Sequence, residues 1–227
     1  MPHQRAPVLL LTRPEADARR FEARVRALAP GDWRAVVSPL LEIVPLAEPA
    51  APGGVPVFTS AHAVFFAGSG GGRPAWCVGP RTAAEARAAG WAPREGGGDA
   101  EALLAAIHAS PPEPLIHPRG VHARGDLAAR LRAAGREVEE RIVYDQRALP
   151  LTGEAQAALD GTAPVVAPVF SPRSAALLLD AVGNPSAPFR VIAVSAAAAE
   201  PLRRWSPVVA ARPDGEAMAD ATATLLR

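Results

Sequence analysis

The chain has 227 residues, 49% of them hydrophobic, and its 24 basic and 23 acidic side chains leave a formal charge of +1. That length allows one large domain or two small ones, the charge excludes a basic field for nucleic acid, and no apolar run reaches the length of a membrane span. Every basic residue is arginine, which excludes lysine Schiff bases, pyridoxal phosphate anchoring and a Walker-A lysine, and the single Cys77 excludes an internal disulfide or a Cys-rich zinc site.

From Val8 the sequence reads as strand, polar turn and helix. Val8 to Leu11 is the strand, Thr12-Arg13-Pro14 the turn, and Phe21, Val25 and Leu28 mark one face of the helix. Arg19, Arg20, Arg24 and Arg26 lie mostly off that stripe and read as a solvated surface. The same grammar recurs: Val55 to Phe58 ends at Thr59-Ser60 before a helix from Ala61, and Ala75 to Val78 ends at Gly79-Pro80-Arg81-Thr82 before a helix to Ala89. Leu115 to His117 leads through Arg119-Gly120 to a helix carrying Leu127 and Leu131. Val165 to Phe170 ends at Ser171-Pro172-Arg173-Ser174, and Val191 to Val194 ends at Ser195. Such βα units predict parallel sheets with helices on both faces.

The order of the turns suggests a repeat, with Thr12-Arg13 paralleling Pro118-Arg119, Thr59-Ser60 paralleling Phe170-Ser171, and Val78-Gly79 paralleling Val194-Ser195. Two extended stretches, Val37 to Leu46 and Val138 to Arg147, lead into no helix and could pair as a connection. The glycine clusters at 68–72 and 96–98 lack the strand–helix context of a dinucleotide fingerprint and read as flexible surface loops. The histidines at 3, 62, 108, 117 and 122 offer no i, i+4 pair, so a structural metal is not expected. The N-terminal residues run into the first strand without a cleavage signal, so a cytoplasmic protein is expected.

In a parallel α/β sheet the strand C-termini and helix N-termini share an edge where free N–H groups and helix dipoles favour anions. Here that edge carries Thr12, Arg13, Ser60, Thr82, Arg119, Arg124, Ser171, Arg173, Ser174 and Ser195, a set suited to carboxylates or phosphates. Each has a plainer explanation. Ser60 and Ser171 are natural N-caps, Arg13 and Arg173 could make surface ion pairs, and Tyr144 could simply pack.

Taken together, Leu11-Thr12-Arg13-Pro14, Pro39-Leu40, Phe58-Thr59-Ser60-Ala61, Val78-Gly79-Pro80-Arg81-Thr82 with Gly90, Arg119-Gly120 with Arg124 and Leu127, Tyr144, and Phe170-Ser171-Pro172-Arg173-Ser174-Ala175 resemble the uroporphyrinogen-III synthase family. Each landmark is weak alone; their order and spacing make the combination specific. The resemblance implies two similar α/β lobes, each a parallel sheet flanked by helices, joined by a two-stranded antiparallel linker. Lobe 1 would comprise 1–36 and 149–227, the linker strands 37–46 and 139–148, and lobe 2 residues 47–138.

It also implies a hydro-lyase that needs no cofactor. Hydroxymethylbilane, a linear tetrapyrrole with eight carboxylates, would lose its hydroxyl and close to uroporphyrinogen III with inversion of the last pyrrole ring. Thr12, Arg13, Ser60, Ala61, Gly79, Thr82, Arg119, Arg124, Ser171, Arg173, Ser174 and Ser195 would bind substrate, and Tyr144 would help the hydroxyl leave. A monomer in transient contact with hydroxymethylbilane synthase, with no nucleic acid or membrane partner, completes the expectation. Two positions depart from the family: His62 stands where Asn is frequent, and Ala198 where many relatives have threonine. Ala198 motivates the alternative of a noncatalytic two-lobed module that binds a tetrapyrrole or another polyanion. A transport-type anion-binding protein is a third reading, disfavoured by the lack of an export signal.

Overall fold

The structure is a computed structural model that describes residues 6–46, 53–122 and 125–227. In chain order its elements are β1 (Val8–Leu11), α1 (Glu15–Leu28), β2 (Arg34–Val37), β3 (Leu41–Pro45), β4 (Val55–Phe58), α2 (Ala61–Phe66), β5 (Pro74–Cys77), α3 (Pro80–Ala88), β6 (Ala92–Glu95) and α4 (Ala100–His108). They continue with β7 (Leu115–Gly120), α5 (Leu127–Ala133), β8 (Val138–Ala148), α6 (Gly153–Leu159), β9 (Val165–Val169), α7 (Pro172–Val182), β10 (Phe189–Ala193), α8 (Ala196–Ala199), β11 (Val208–Val209) and α9 (Gly215–Leu226). A 3₁₀ turn, Glu200–Trp205, extends α8.

Two compact units result, one of Met1–Glu42 with Ala148–Arg227 and the other of Ile43–Arg147. The first holds a five-stranded sheet in the order β11-β10-β9-β1-β2, parallel throughout. The second holds six strands in the order β3-β8-β7-β4-β5-β6. Apart from β3 it is parallel, and β6-β5-β4-β7-β8 reproduces strand for strand the order of the first sheet. The correspondence equates β1 with β7, β9 with β4 and β10 with β5, the same pairs of turns that the sequence repeat matched.

Both sheets are covered on both faces, which is why their central strands are apolar runs instead of alternating ones. Leu9 and Leu11 pack with Phe21, Val25 and Met218 from α1 and α9, while Val8 and Leu10 pack with residues of α6, α7 and α8. In the second unit Phe58 and Cys77 face α2 and α3, and Val57 and Trp76 face α4 and α5. Cys77 is wholly buried, and burial pushes its thiol up to about 11. Leu28, expected on the buried stripe, is 40% exposed; Ala29 closes the Phe21–Val25 ridge in its place because it continues the i, i+4 row.

The extended stretches pair, and the second of them has a further partner. The Leu46 N–H donates to Val143 O and the Leu149 N–H to Leu40 O, at 3.0 Å each, so the two segments run antiparallel. Residues 37–40 lie outside β3, however, and β8 also pairs in parallel with β7 from Leu115↔Val138 to Gly120↔Tyr144. It is an integral strand of the second sheet because Val138 and Val143 each anchor one of its faces. The glycine clusters are likewise more than loops: a Cβ on Gly70 would lie 2.5 Å from Trp91 backbone, and one on Gly96 would lie 2.4 Å from Leu103 Cδ1. Among the described residues no helix is long and apolar enough to cross a membrane.

Candidate active site

In open α/β sheets ligands bind beyond the strand C-termini, at the point where strand order reverses. In the first unit this point lies between β1 and β9, whose ends lead into Thr12-Arg13 and Phe170-Ser171. In the second it lies between β7 and β4, whose ends lead into Val121 and Thr59-Ser60. Side chains bridge the reversal in both units. The Arg13 guanidinium lies 4.2 Å from the Phe170 ring centroid, and Thr59 Oγ1 is 3.2 Å from His117 Nε2.

At the first unit's rim Thr12 is buried and its carbonyl accepts from the Leu40 N–H at 3.1 Å. Arg13 Nη2 also reaches Asp17 Oδ2 at 3.0 Å, so the expected ion pair and the face-on aromatic contact together fix the guanidinium at the turn. Ser171 caps α7 by accepting from the Ser174 N–H at 3.0 Å, and the two hydroxyls are 2.9 Å apart. Arg173 sits in the first turn of that helix.

Ser195 caps α8, accepting from the Ala198 N–H at 3.3 Å. The corresponding cap in the second unit, Gly79, has no hydroxyl, whereas Thr82, three residues on, does. Each turn therefore carries one hydroxyl, at the third helical residue in the second unit and at the cap in the first. This is the physical counterpart of Ala198, which is itself fully buried.

The second unit's rim is built around Ser60. Its Oγ caps α2, accepting from the His62 N–H at 3.2 Å, and also accepts from Tyr144 Oη at 3.3 Å; Ala61 opens the helix. The Tyr144 ring stacks on Phe66 at 5.6 Å between centroids and meets His62 edge-on at 5.9 Å. Only 6% of Tyr144 is exposed.

Arg119 differs from expectation, lying inside β7 and not in a turn. Its Nε donates to Glu140 Oε1 at 2.7 Å and its Nη1 to the Gly120 carbonyl at 2.9 Å, the first bond holding the Glu140 carboxyl below its usual range. Arg124 falls outside the described residues.

In sequence His117 offers itself only as a possible metal ligand; in the fold it lies buried beside the rim. Burial pushes its imidazole down to about 4. Glu140, 3.9 Å from Nδ1, pulls the other way, but the loss of hydration dominates at that separation and the ring is neutral. Among the described residues no three His, Cys, Asp or Glu side chains gather as a metal site. A cavity of about 500 Å³ lined by Pro7, Asp32, Pro164 and Arg190 opens at the N-terminal edge of the first sheet, opposite its rim.

Fold and rims define a class: an α/β protein of two topologically matched units, each presenting hydroxyls and helix N-termini at the reversal point of its sheet. Residues 22–220 match the family of uroporphyrinogen-III synthase HemD. The chain belongs to the uroporphyrinogen-III synthase family. The crystal structure of uroporphyrinogen-III synthetase from Helicobacter pylori is similar over 97% of this chain and 99% of that one, with a TM-score of 0.69 and 16% identity. A mutant uroporphyrinogen III synthase from the extremely thermophilic bacterium Thermus thermophilus matches over 98% and 100%, with a TM-score of 0.53 and 17% identity. No curated protein matches the chain in sequence. The protein is a cyclising lyase of tetrapyrrole biosynthesis, closing hydroxymethylbilane to uroporphyrinogen III with inversion of the last ring.

Proposed function

We propose that the rims bind the substrate's carboxylates and that Tyr144 assists departure of its hydroxyl. Thr12, Arg13, Ser171, Arg173, Ser174 and Ser195 serve this purpose in the first unit. Ser60, Ala61, Gly79, Thr82, Arg119 and Arg124 serve it in the second. What supports the reading is the concentration of hydroxyls and helix N-termini at the reversal point of each sheet, with the guanidinium groups of Arg13 and Arg173 beside the first. Charge-assisted hydrogen bonds contribute about 1.5–3 kcal/mol each, so several can offset the entropy of ordering a flexible tetrapyrrole, and positioning then becomes the main catalytic resource. The reading extends to a cytoplasmic monomer supplied through transient contact with hydroxymethylbilane synthase. It needs no cofactor.

Site and surface arginines should separate cleanly in a binding titration with uroporphyrinogen III. Arg13→Ala and Arg173→Ala are expected to weaken binding by about tenfold or more, the equivalent of one charge-assisted bond. Arg20 and Arg24, on the outer surface of α1, should tolerate the same change. Equal losses at all four positions would exclude the rim as the binding site.

A further inference from the structure

We infer that Gly120 is a positioning residue of the reaction, because the space left by its missing side chain seats the Tyr144 ring. The inference rests on the role given to Tyr144 above. Its first support is the strand register. β7 and β8 pair in step to Arg119↔Ile142, and then Gly120 pairs with Tyr144, leaving Val143 as the extra residue of a β-bulge. Bulges re-aim side chains and recur beside active sites.

The effect on Tyr144 can be read from the core. Tyr144 follows Val138 by an even number of positions, so in a regular strand both would face α4 and α5. Tyr144 instead packs with Val143, Phe58 and Phe66 on the opposite face, beneath α2. The bulge has turned it over.

Gly120 makes that orientation sterically available. A Cβ at this position would stand 2.5 Å from Tyr144 Cε2 and 2.7 Å from Cζ, where carbon atoms normally keep about 3.5–4.0 Å. Any side chain would push the ring by about 1 Å. The hydroxyl lies 3.3 Å from Ser60 Oγ, near the outer limit of a hydrogen bond, so a displacement of that size away from Ser60 would break it. Bulge, glycine and the stacked Phe66 together form a seat for the one tyrosine of the chain.

Because that tyrosine is single, protein grown with 3-fluorotyrosine reports on its ring through one ¹⁹F resonance. Gly120→Ala is expected to move the resonance, lower kcat about tenfold with KM little changed, and reduce the ratio of type III to type I product. In a Tyr144→Phe background it should cost nothing more. An unmoved resonance overturns the inference, as does a moved one with unchanged kcat while Tyr144→Phe is slow. If Tyr144→Phe is itself fully active, the reading of Tyr144 fails first. Should Gly120→Ala not fold, Phe66→Leu removes the other wall of the seat without adding an atom: a moved resonance with lowered kcat supports the seat, and an unmoved one overturns it.

Discussion

Lowering the pH from 6.5 to 4 is expected to remove about 3 kcal/mol of stability through His117 alone. The figure follows from an imidazole whose ordinary value of 6.5 is pushed down to about 4 in the fold, at about 1.4 kcal/mol per unit. The sign is set by proton counting. Between these pH values the unfolded chain holds a proton on His117 and the folded chain does not, so acid favours unfolding, and the loss levels off once the folded ring titrates. Burial is the main cause; Arg119 and Arg132 add to it, and Glu140 opposes it. Glu140 contributes in the same direction in a lower window, since its carboxyl is depressed by the bond from Arg119 and its stabilisation fades only below the ordinary 4.5. Denaturant unfolding at a series of pH values should show the slope in the native chain and a much flatter one in His117→Gln, which cannot be protonated. Identical slopes would mean that His117 is hydrated or already charged in the fold.

Tyr144→Phe should slow turnover about tenfold, equivalent to about 1.4 kcal/mol of transition-state stabilisation. Loss of a full general acid would cost about 10²–10⁴ in rate. The smaller figure follows from two considerations: a phenol is a weak acid near neutral pH, and the carboxylate contacts that position the substrate survive the change. Because the ring keeps its stacking on Phe66, and only the 3.3 Å bond to Ser60 is lost, folding should be unaffected. The type III to type I ratio should fall as spontaneous closure competes with a slower enzyme. An unchanged rate and ratio in a folded variant would remove Tyr144 from the mechanism.

The parts of this architecture legible in the sequence were those with strong local signals. Val8–Leu11 and Val165–Val169 are apolar runs that only a sheet covered on both faces would bury, and hydroxyl caps such as Ser60 and Ser171 mark the helices that follow strands. Helices α4, α6 and α9 are faint in the sequence because their alanine-rich faces make a weak stripe. Their N-caps were nevertheless visible: Asp99 accepts from Ala102, Thr152 from Ala155 and Asp214 from Ala217. The edge strand β6, Ala-Pro-Arg-Glu, has almost no buried face to announce it.

At the site the hydroxyls and arginines were readable as residue types at turn positions, but three features were not. That Arg119 lies in a strand and is held by Glu140 depends on pairing with β8, a partner distant in sequence. The burial of His117 has the same origin. Tyr144 faces α2 only because of a bulge, and a register shift leaves no mark on hydrophobic periodicity. Gly120 was among the family landmarks, yet its reason, the Tyr144 ring 2.5 Å from where a Cβ would stand, emerges only once both strands are in place.

Direction of ring closure to the inverted isomer can be measured by supplying freshly prepared hydroxymethylbilane and separating the type I and type III uroporphyrinogens by chromatography. Mainly type III is expected, formed faster than substrate closes unaided. Type I alone, at the spontaneous rate, would contradict it.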